Sequence, residues 1–146
     1  MLVGKHEIAA LIPQRPPIVM VDSLEEHEAL FSVSSFHIMA DNIFVEEGFL
    51  QMPGLVENIA QTCALRSGYE FRQKLSANPG TEMKPPVGFI GEVKNLELFQ
   101  LPAVGNTLQT RIEILHTVFS ASIIKGEIFV KDQCMASCEM KIFVAG

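Results

Sequence analysis

Between residues 53 and 75 the sequence changes its period. Apolar residues fall at 55, 56, 59, 60, 63 and 64, then at 71 and 75, which is the i, i+3, i+4 spacing of a helix with one buried face. Pro53 suits the first helical position, where its missing N–H is no loss. "SANPGTEMKPP" then breaks the pattern decisively. The predicted helix is about 23 residues, roughly 35 Å at 1.5 Å per residue. No other stretch offers a long helix, and most of the remaining chain reads as strands. One helix and one large sheet can share a core if the sheet curls around the helix.

Before the helix, "KHEIAALI" predicts a short helix stopped by Pro13. "IPQRPPIVMVDSL" predicts a loop, then a strand on the apolar run Ile18 to Val21. "ALFSVSSFHIM" alternates, with Leu30, Ser32, Ser34 and Phe36 on one face and Phe31, Val33, Ser35 and His37 on the other. After Pro86 four strands are expected in "VGFIGEVKNLELF", "TLQTRIEILHTVF", "SASIIKGEIFVK" and "QCMASCEMKIFVA", with "LPAVGN" and "KDQ" as turns. The last three read as an antiparallel meander. The order predicts one α+β domain over residues 1–146, without repeats, low-complexity tracts or linkers. A single helix leaves such a sheet incompletely covered, so edge pairing with a second copy is expected.

Composition narrows the function classes. The 146 residues fit one domain, and 48% apolar content supports a substantial core. A net charge of -6 without any Lys/Arg run argues against nucleic-acid binding. Lys5, His6 and Glu7 interrupt the N-terminal apolar residues, so no signal peptide is expected. No apolar run is long enough to span a membrane. Three cysteines, Cys63, Cys134 and Cys138, suggest reduced thiols and a cytoplasmic setting. Strand alternation would put Cys134 and Cys138 on one face. With no further ligands evident, they read as packing residues and no metal is expected.

Four stretches resemble the hotdog fold, and more narrowly the 3-hydroxyacyl-[acyl-carrier-protein] dehydratases and their relatives in polyene biosynthesis. "IPQRPPIVMVDSL" is similar to the family's opening segment, "NIFVEEG" to its loop before the helix, and "ENIAQ" to its central-helix motif. "GFIGEVKNLELFQLPAVGNTLQ" is similar to its glycine-containing strand and the turn beyond. They occur in the family's order and span nearly the whole chain. The resemblance implies a long central helix wrapped by a curved antiparallel sheet.

It also implies a chemistry. In the family a loop histidine takes the proton alpha to the thioester, and a helix carboxylic acid helps expel the 3-hydroxyl as water. Helix-start N–H groups hold the thioester oxygen, where the helix dipole favours negative charge. Glu57 matches the helix acid, Gln61 lies one turn on, and Gly54 and Leu55 occupy the helix start. Phe44, Gly88 and Phe89 fall in segments that line the acyl tunnel in relatives. Arg15 could face the phosphopantetheine or a helix of the carrier protein; anchoring backbone is the plainer alternative.

This chain departs from the common pattern at the base. No histidine occurs between residues 38 and 115, Ile43 stands at the expected spacing, and Gln14 replaces a histidine of the opening segment. The loop fits better a divergent polyene-associated branch that also lacks the histidine. On that match Glu46 and Glu47 fill two acidic positions. Glu47 is the candidate substitute base, since a desolvated carboxylate can approach neutral pKa; a solvated turn is the alternative. Glu57 could likewise be only a favourable N-terminal charge, and His37 either a reserve base or a structural residue.

The resemblance thus implies dehydration of a 3-hydroxyacyl thioester on acyl-carrier protein or coenzyme A, by a homodimer or an oligomer of dimers. The tunnel is expected between residues 44–61 of one chain and 87–93 of another. No cofactor is implied, because the thioester itself acidifies the alpha carbon. The rival readings are a thioesterase and a catalytically weak partner of an active dehydratase.

Overall fold

A computed structural model describes residues 1–145. A 3-10 turn at Lys5–Glu7 runs into α1, Ile8–Leu11, which ends one residue before Ile12–Pro13 turn the chain away. Then come β1 (Ser23–His27), β2 (Phe31–His37), a small hairpin of β3 (Val45–Glu46) and β4 (Phe49–Leu50), and α2 (Met52–Ala77). β5 (Val87–Leu98), β6 (Thr107–Val118), β7 (Ala121–Val130) and β8 (Gln133–Ala145) complete the chain. Six strands form one antiparallel sheet in the order β1-β2-β6-β7-β8-β5. The expected meander is β6 to β8, and β5 closes the far edge beside β8.

The helix lies against this sheet, as the periodicity requires. Leu55, Ile59 and Cys63 pack with Leu108, Ile112, Ile124, Ile128 and Met140. Gly126 of β7 permits the contact, because a Cβ there would stand 2.5 Å from Ile59 Cγ2. A second cluster joins Leu65 to Val3, Ile8, Ile12, Val21 and Leu24, so the N-terminal segment covers the helix from another side.

Two local expectations are corrected. Ile18 to Val21 is extended but is no strand, because its hydrogen-bond partners are helix side chains. Gln61 Oε1 accepts from the Met20 N–H at 2.6 Å, Asn58 Nδ2 donates to the Met20 carbonyl at 2.8 Å, and Gln61 Nε2 donates to the Ile18 carbonyl at 2.8 Å. The strand comes later, at Ser23–His27, a segment whose charged residues hide its pairing with β2. Cys134 and Cys138 do not share a face. A bulge opposite Ile128 and Phe129 leaves both Met135 and Ala136 buried and turns Cys134 to the half-exposed side.

β5 is paired only through β8, and all twelve of its residues are exposed. Val87, Phe89, Ile90, Val93, Leu96 and Leu98 are apolar residues among them. Its ladder shifts register at Gly91, between Ile90 and Glu92, and the Phe143 ring lies over that glycine.

Candidate active site

Glu57 stands in the second turn of α2 and is half-buried. Its Oε1 accepts a hydrogen bond from Gln61 Nε2 at 2.8 Å. Gln61 is fully buried, and its amide is otherwise engaged with Met20 and Ile18. It therefore orients Glu57 from behind, fixed between the helix and the 18–20 segment.

Glu57 lines a cavity of about 150 Å³ together with Gln14, Cys63, Ser67, Gly88 and Phe89. Aliphatic side chains of α1, α2, β5 and β8 make up most of the rest. Among the lining residues only Glu57 and Cys63 are ionisable. Burial, then the neighbouring Cys138, pushes the Cys63 thiol up to about 12, so it keeps its proton at neutral pH and is no nucleophile. Glu57 is the one acid–base group in the cavity. Gln14 brings a different feature: its Oε1 is buried and has no hydrogen-bond donor, the one side-chain atom in that condition among the described residues.

The structure thus brings Glu57, Gly88 and Phe89 to the wall of one cavity. Gly54 and Leu55 lie at the helix start, but both N–H groups donate to the Gln51 carbonyl, at 3.0 and 3.3 Å. The Leu55 side chain is in the core. Phe44 packs directly over Gly54, where an added Cβ would come within 2.7 Å of Phe44 Cβ. These three residues form a floor beneath the helix start and do not line the cavity.

Glu47 and Gly48 form the two-residue turn between β3 and β4, with φ of 53° and 85°. This is the left-handed backbone such hairpins need. It holds Glu47 exposed at the tip, outside the cavity lining. Arg15 folds onto its own loop, donating from one guanidinium nitrogen to the carbonyls of Ile12 at 2.7 Å and Gln14 at 2.8 Å. It borders an adjoining groove of about 530 Å³ with Lys5, Asp22 and His37. His37 faces Thr107 Oγ1 at 3.1 Å and does not line the Glu57 cavity. Gln14 borders both spaces. Sequence reasoning noted its place in the opening segment but had no means of placing it on the same cavity as Glu57, which only the packing of the N-terminal loop brings about.

Among the described residues no group of three or more His, Cys, Asp and Glu side chains is placed to hold a metal ion, and no helix is long and apolar enough to cross a membrane.

Residues 6–145 match the model of the ApeP-like family, described as ApeP dehydratase. The chain is similar to the 3-hydroxyacyl-[acyl-carrier-protein] dehydratase FabZ of Clostridium kluyveri, with 24% identity over 97% of this chain and 95% of the relative. It is similar in structure to a chain of the dehydratase heterocomplex ApeI:P from Xenorhabdus doucetiae, with a TM-score of 0.81, 13% identity, and 95% and 91% of the two chains covered. A thioesterase-like protein from Streptococcus pneumoniae, solved with coenzyme A, shares the fold at a TM-score of 0.63 and 12% identity, over 85% of each chain.

Proposed function

The chain belongs to the ApeP-like dehydratase family, and from that membership we propose that it dehydrates a 3-hydroxyacyl thioester to the 2-enoyl thioester, the acyl group being carried on acyl-carrier protein or coenzyme A. The carrying observation is the placement of Glu57 as the one acid–base group of the cavity. The thioester carbonyl acidifies the C2 hydrogen, so no metal or organic cofactor is needed. The Glu57 carboxylate takes that proton, the C3–O bond breaks as the C2–C3 double bond closes, and the same proton passed to the departing oxygen completes one water. Glu57 protonates the departing hydroxyl, and Gln61 holds its carboxyl in place for that transfer.

A second reading follows from the same count of groups. Elimination needs a proton taken and a proton given, and the cavity of one chain offers only Glu57 for both. The cavity wall includes Gly88, Phe89 and Ile90 at the start of the open strand β5. A second chain paired along that strand could bring the base, making this chain one half of a dehydratase. The dehydratase heterocomplex ApeI:P, to which the chain is similar, supports that reading.

Mass spectrometry of a 3-hydroxyacyl thioester on its carrier, with the chain and with its Glu57→Gln variant, tests both. Loss of one water that disappears in the variant is expected. Release of free acid would replace the proposal with thioester hydrolysis. An unchanged substrate that still binds would favour the two-chain reading.

A further inference from the structure

The cavity that Glu57 lines leads along one face of α2 to a second space. Glu57, Ala60, Ala64 and Ser67 line the cavity at helical spacing and cover about 15 Å of helix at 1.5 Å per residue. Phe71 and Lys74 follow on the same face and line an open groove of about 600 Å³. Ser67, Pro86 and Val144 line both spaces, so they stand at the boundary between them. All three are half-buried, so that boundary reaches the surface.

The outer groove carries cations, which the cavity lacks. Lys74 and Lys84 line it, and both are exposed. Among the described residues neither of them makes an ion pair. The one carboxylate of the groove, Glu70, is engaged elsewhere, 3.7 Å from Arg66 Nε and 3.8 Å from His27 Nε2. Lys74 lies in the last turn of α2, where it also offsets the negative end of the helix dipole. Lys84 lies beyond the helix and has no such task.

Resting on the dehydratase reading, we propose that this groove receives the phosphate of the phosphopantetheine arm that carries the acyl group, with Lys74 and Lys84 as its partners, and that the arm passes Ser67 to present C3 to Glu57. The lengths agree. Lys74 lies about 25 Å beyond Glu57 along the helix. An extended chain gains about 3.5 Å for every three bonds, so the roughly sixteen bonds from the phosphorus to C3 span about 19 Å. A hydrogen-bond contact of about 2.8 Å at each end brings the reach to about 25 Å. The geminal methyls next to the phosphate meet Phe71 and Met83, apolar residues of the same groove. Arg15, the cation that the sequence suggested for the arm, is instead held by carbonyls of its own loop. The phosphate is common to acyl-carrier protein and coenzyme A, so the subsite serves either source.

The test compares inert probes that differ by the phosphate alone. They are 3-hydroxybutyryl conjugates of pantetheine and of phosphopantetheine in which an amide replaces the thioester and stops turnover. The natural chain is expected to bind the phosphorylated probe about tenfold more tightly at low salt, as two exposed charge pairs give together. Added salt should shrink that advantage. Lys74→Gln with Lys84→Gln should abolish it and leave the affinity for the other probe unchanged. Lys125→Gln with Lys131→Gln removes the same charge from exposed positions elsewhere and should keep it. Ser67→Phe, which narrows the boundary, should weaken both probes. The same amides built on coenzyme A and on carrier protein should share the dependence on Lys74 and Lys84, and the tighter of the two identifies the natural source. Equal binding of the two probes by the natural chain overturns the assignment. So does an advantage that survives without Lys74 and Lys84, that falls equally in the control pair, or that depends on the lysines for only one of the two carriers. Unaltered binding in Ser67→Phe overturns the path of the arm. If neither probe binds and the thioester loses no water, the dehydratase reading falls and takes this assignment with it. Water loss with no phosphate advantage overturns only the lysine subsite.

Discussion

Gln61 Nε2 lies 2.8 Å from Glu57 Oε1, one helical turn away and on the buried side. The orientation of that amide is set by its other end. The Met20 N–H can only donate, so it faces Gln61 Oε1 at 2.6 Å and leaves the Nε2 hydrogens for Glu57 and the Ile18 carbonyl. The loop that follows the prolines thereby fixes the carboxyl of the helix. One glutamine ties the 18–20 segment, the central helix and the candidate acid together.

Gln61→Leu keeps much of the side-chain volume and removes all three bonds. The Met20 N–H is then left buried without its partner. A cost of about 2 kcal/mol is expected, within the range for an unsatisfied buried group. For a chain of this size that lowers the thermal midpoint by about 4–8 °C. Water-loss activity should fall further than Glu57→Asp lowers it, because the carboxyl is freed to change rotamer. A melting curve and single-turnover mass spectrometry on the same preparations check both halves.

Gly126→Ala should destabilise the chain by about 1–3 kcal/mol through overpacking. The new methyl would sit 2.5 Å from Ile59 Cγ2 in the centre of the helix–sheet contact. Ile59→Ala is destabilising alone because it opens a cavity. In the double variant the added methyl fills part of that space, so the two effects should sum to less than their separate totals. Chemical denaturation of the four proteins measures the coupling, and strict additivity would contradict the contact.

The strands after Pro86 and the long helix were legible because each rests on a local period. β5 to β8 end within one or two residues of the expected bounds, and α2 starts one residue earlier and runs two residues further than predicted. Glu57, Gly88 and Phe89, singled out from their segments, do line one cavity. What was hidden depends on contacts between distant segments. Asn58, Thr62 and Arg66 read as polar helix positions, yet all three are buried because they serve backbone and side chains from elsewhere. Arg66 alone donates to the carbonyls of Glu28, Ala29 and Phe31 and fastens the β1–β2 turn. Ile18 to Val21 looked like a strand for the converse reason, since Met20 and Val21 are buried but the segment's partners are amide side chains. Gln14 and Glu57 share a cavity that no spacing encodes.

His27 makes stability depend on pH. Burial, and after it the nearby Arg66 guanidinium, holds its imidazole below the usual value, against the opposing pull of Glu70 and Glu28. Ser32 Oγ at 2.9 Å, the Tyr69 ring and Glu70 at 3.8 Å complete its surroundings. A depressed histidine pKa means the unfolded chain binds the proton more readily. The contribution of His27 is therefore complete above the unfolded value of about 6.5 and shrinks as pH falls below it, toward the lowered folded value. His27→Gln should flatten this loss between pH 7.5 and 5.5. Thermal midpoints at both values decide it, and an identical pH slope in the variant would remove His27 as the cause.

The last prediction concerns the open edge. β5 offers unpaired backbone on one side and carries Val93 and Leu96 exposed at 36% and 43%. A twelve-residue strand with that much apolar surface is an aggregation template unless another strand covers it. Antiparallel pairing of two β5 strands would satisfy both edges at once and continue the sheet from one chain into the next. The natural chain should therefore sediment above its 16.1 kDa monomer mass. Val93→Lys with Leu96→Lys puts two charges on each strand at the junction without touching the cavity lining, and should shift the chain to monomer while its circular dichroism is kept. Because Gly88, Phe89 and Ile90 of the same strand wall the Glu57 cavity, turnover should fall with the loss of pairing. Sedimentation and activity measured across a dilution series separate the outcomes. A natural chain that is monomeric at all concentrations yet active would show that the cavity of one chain suffices. A monomer that gains activity only when a second dehydratase chain is added would show that β5 is reserved for an unlike partner.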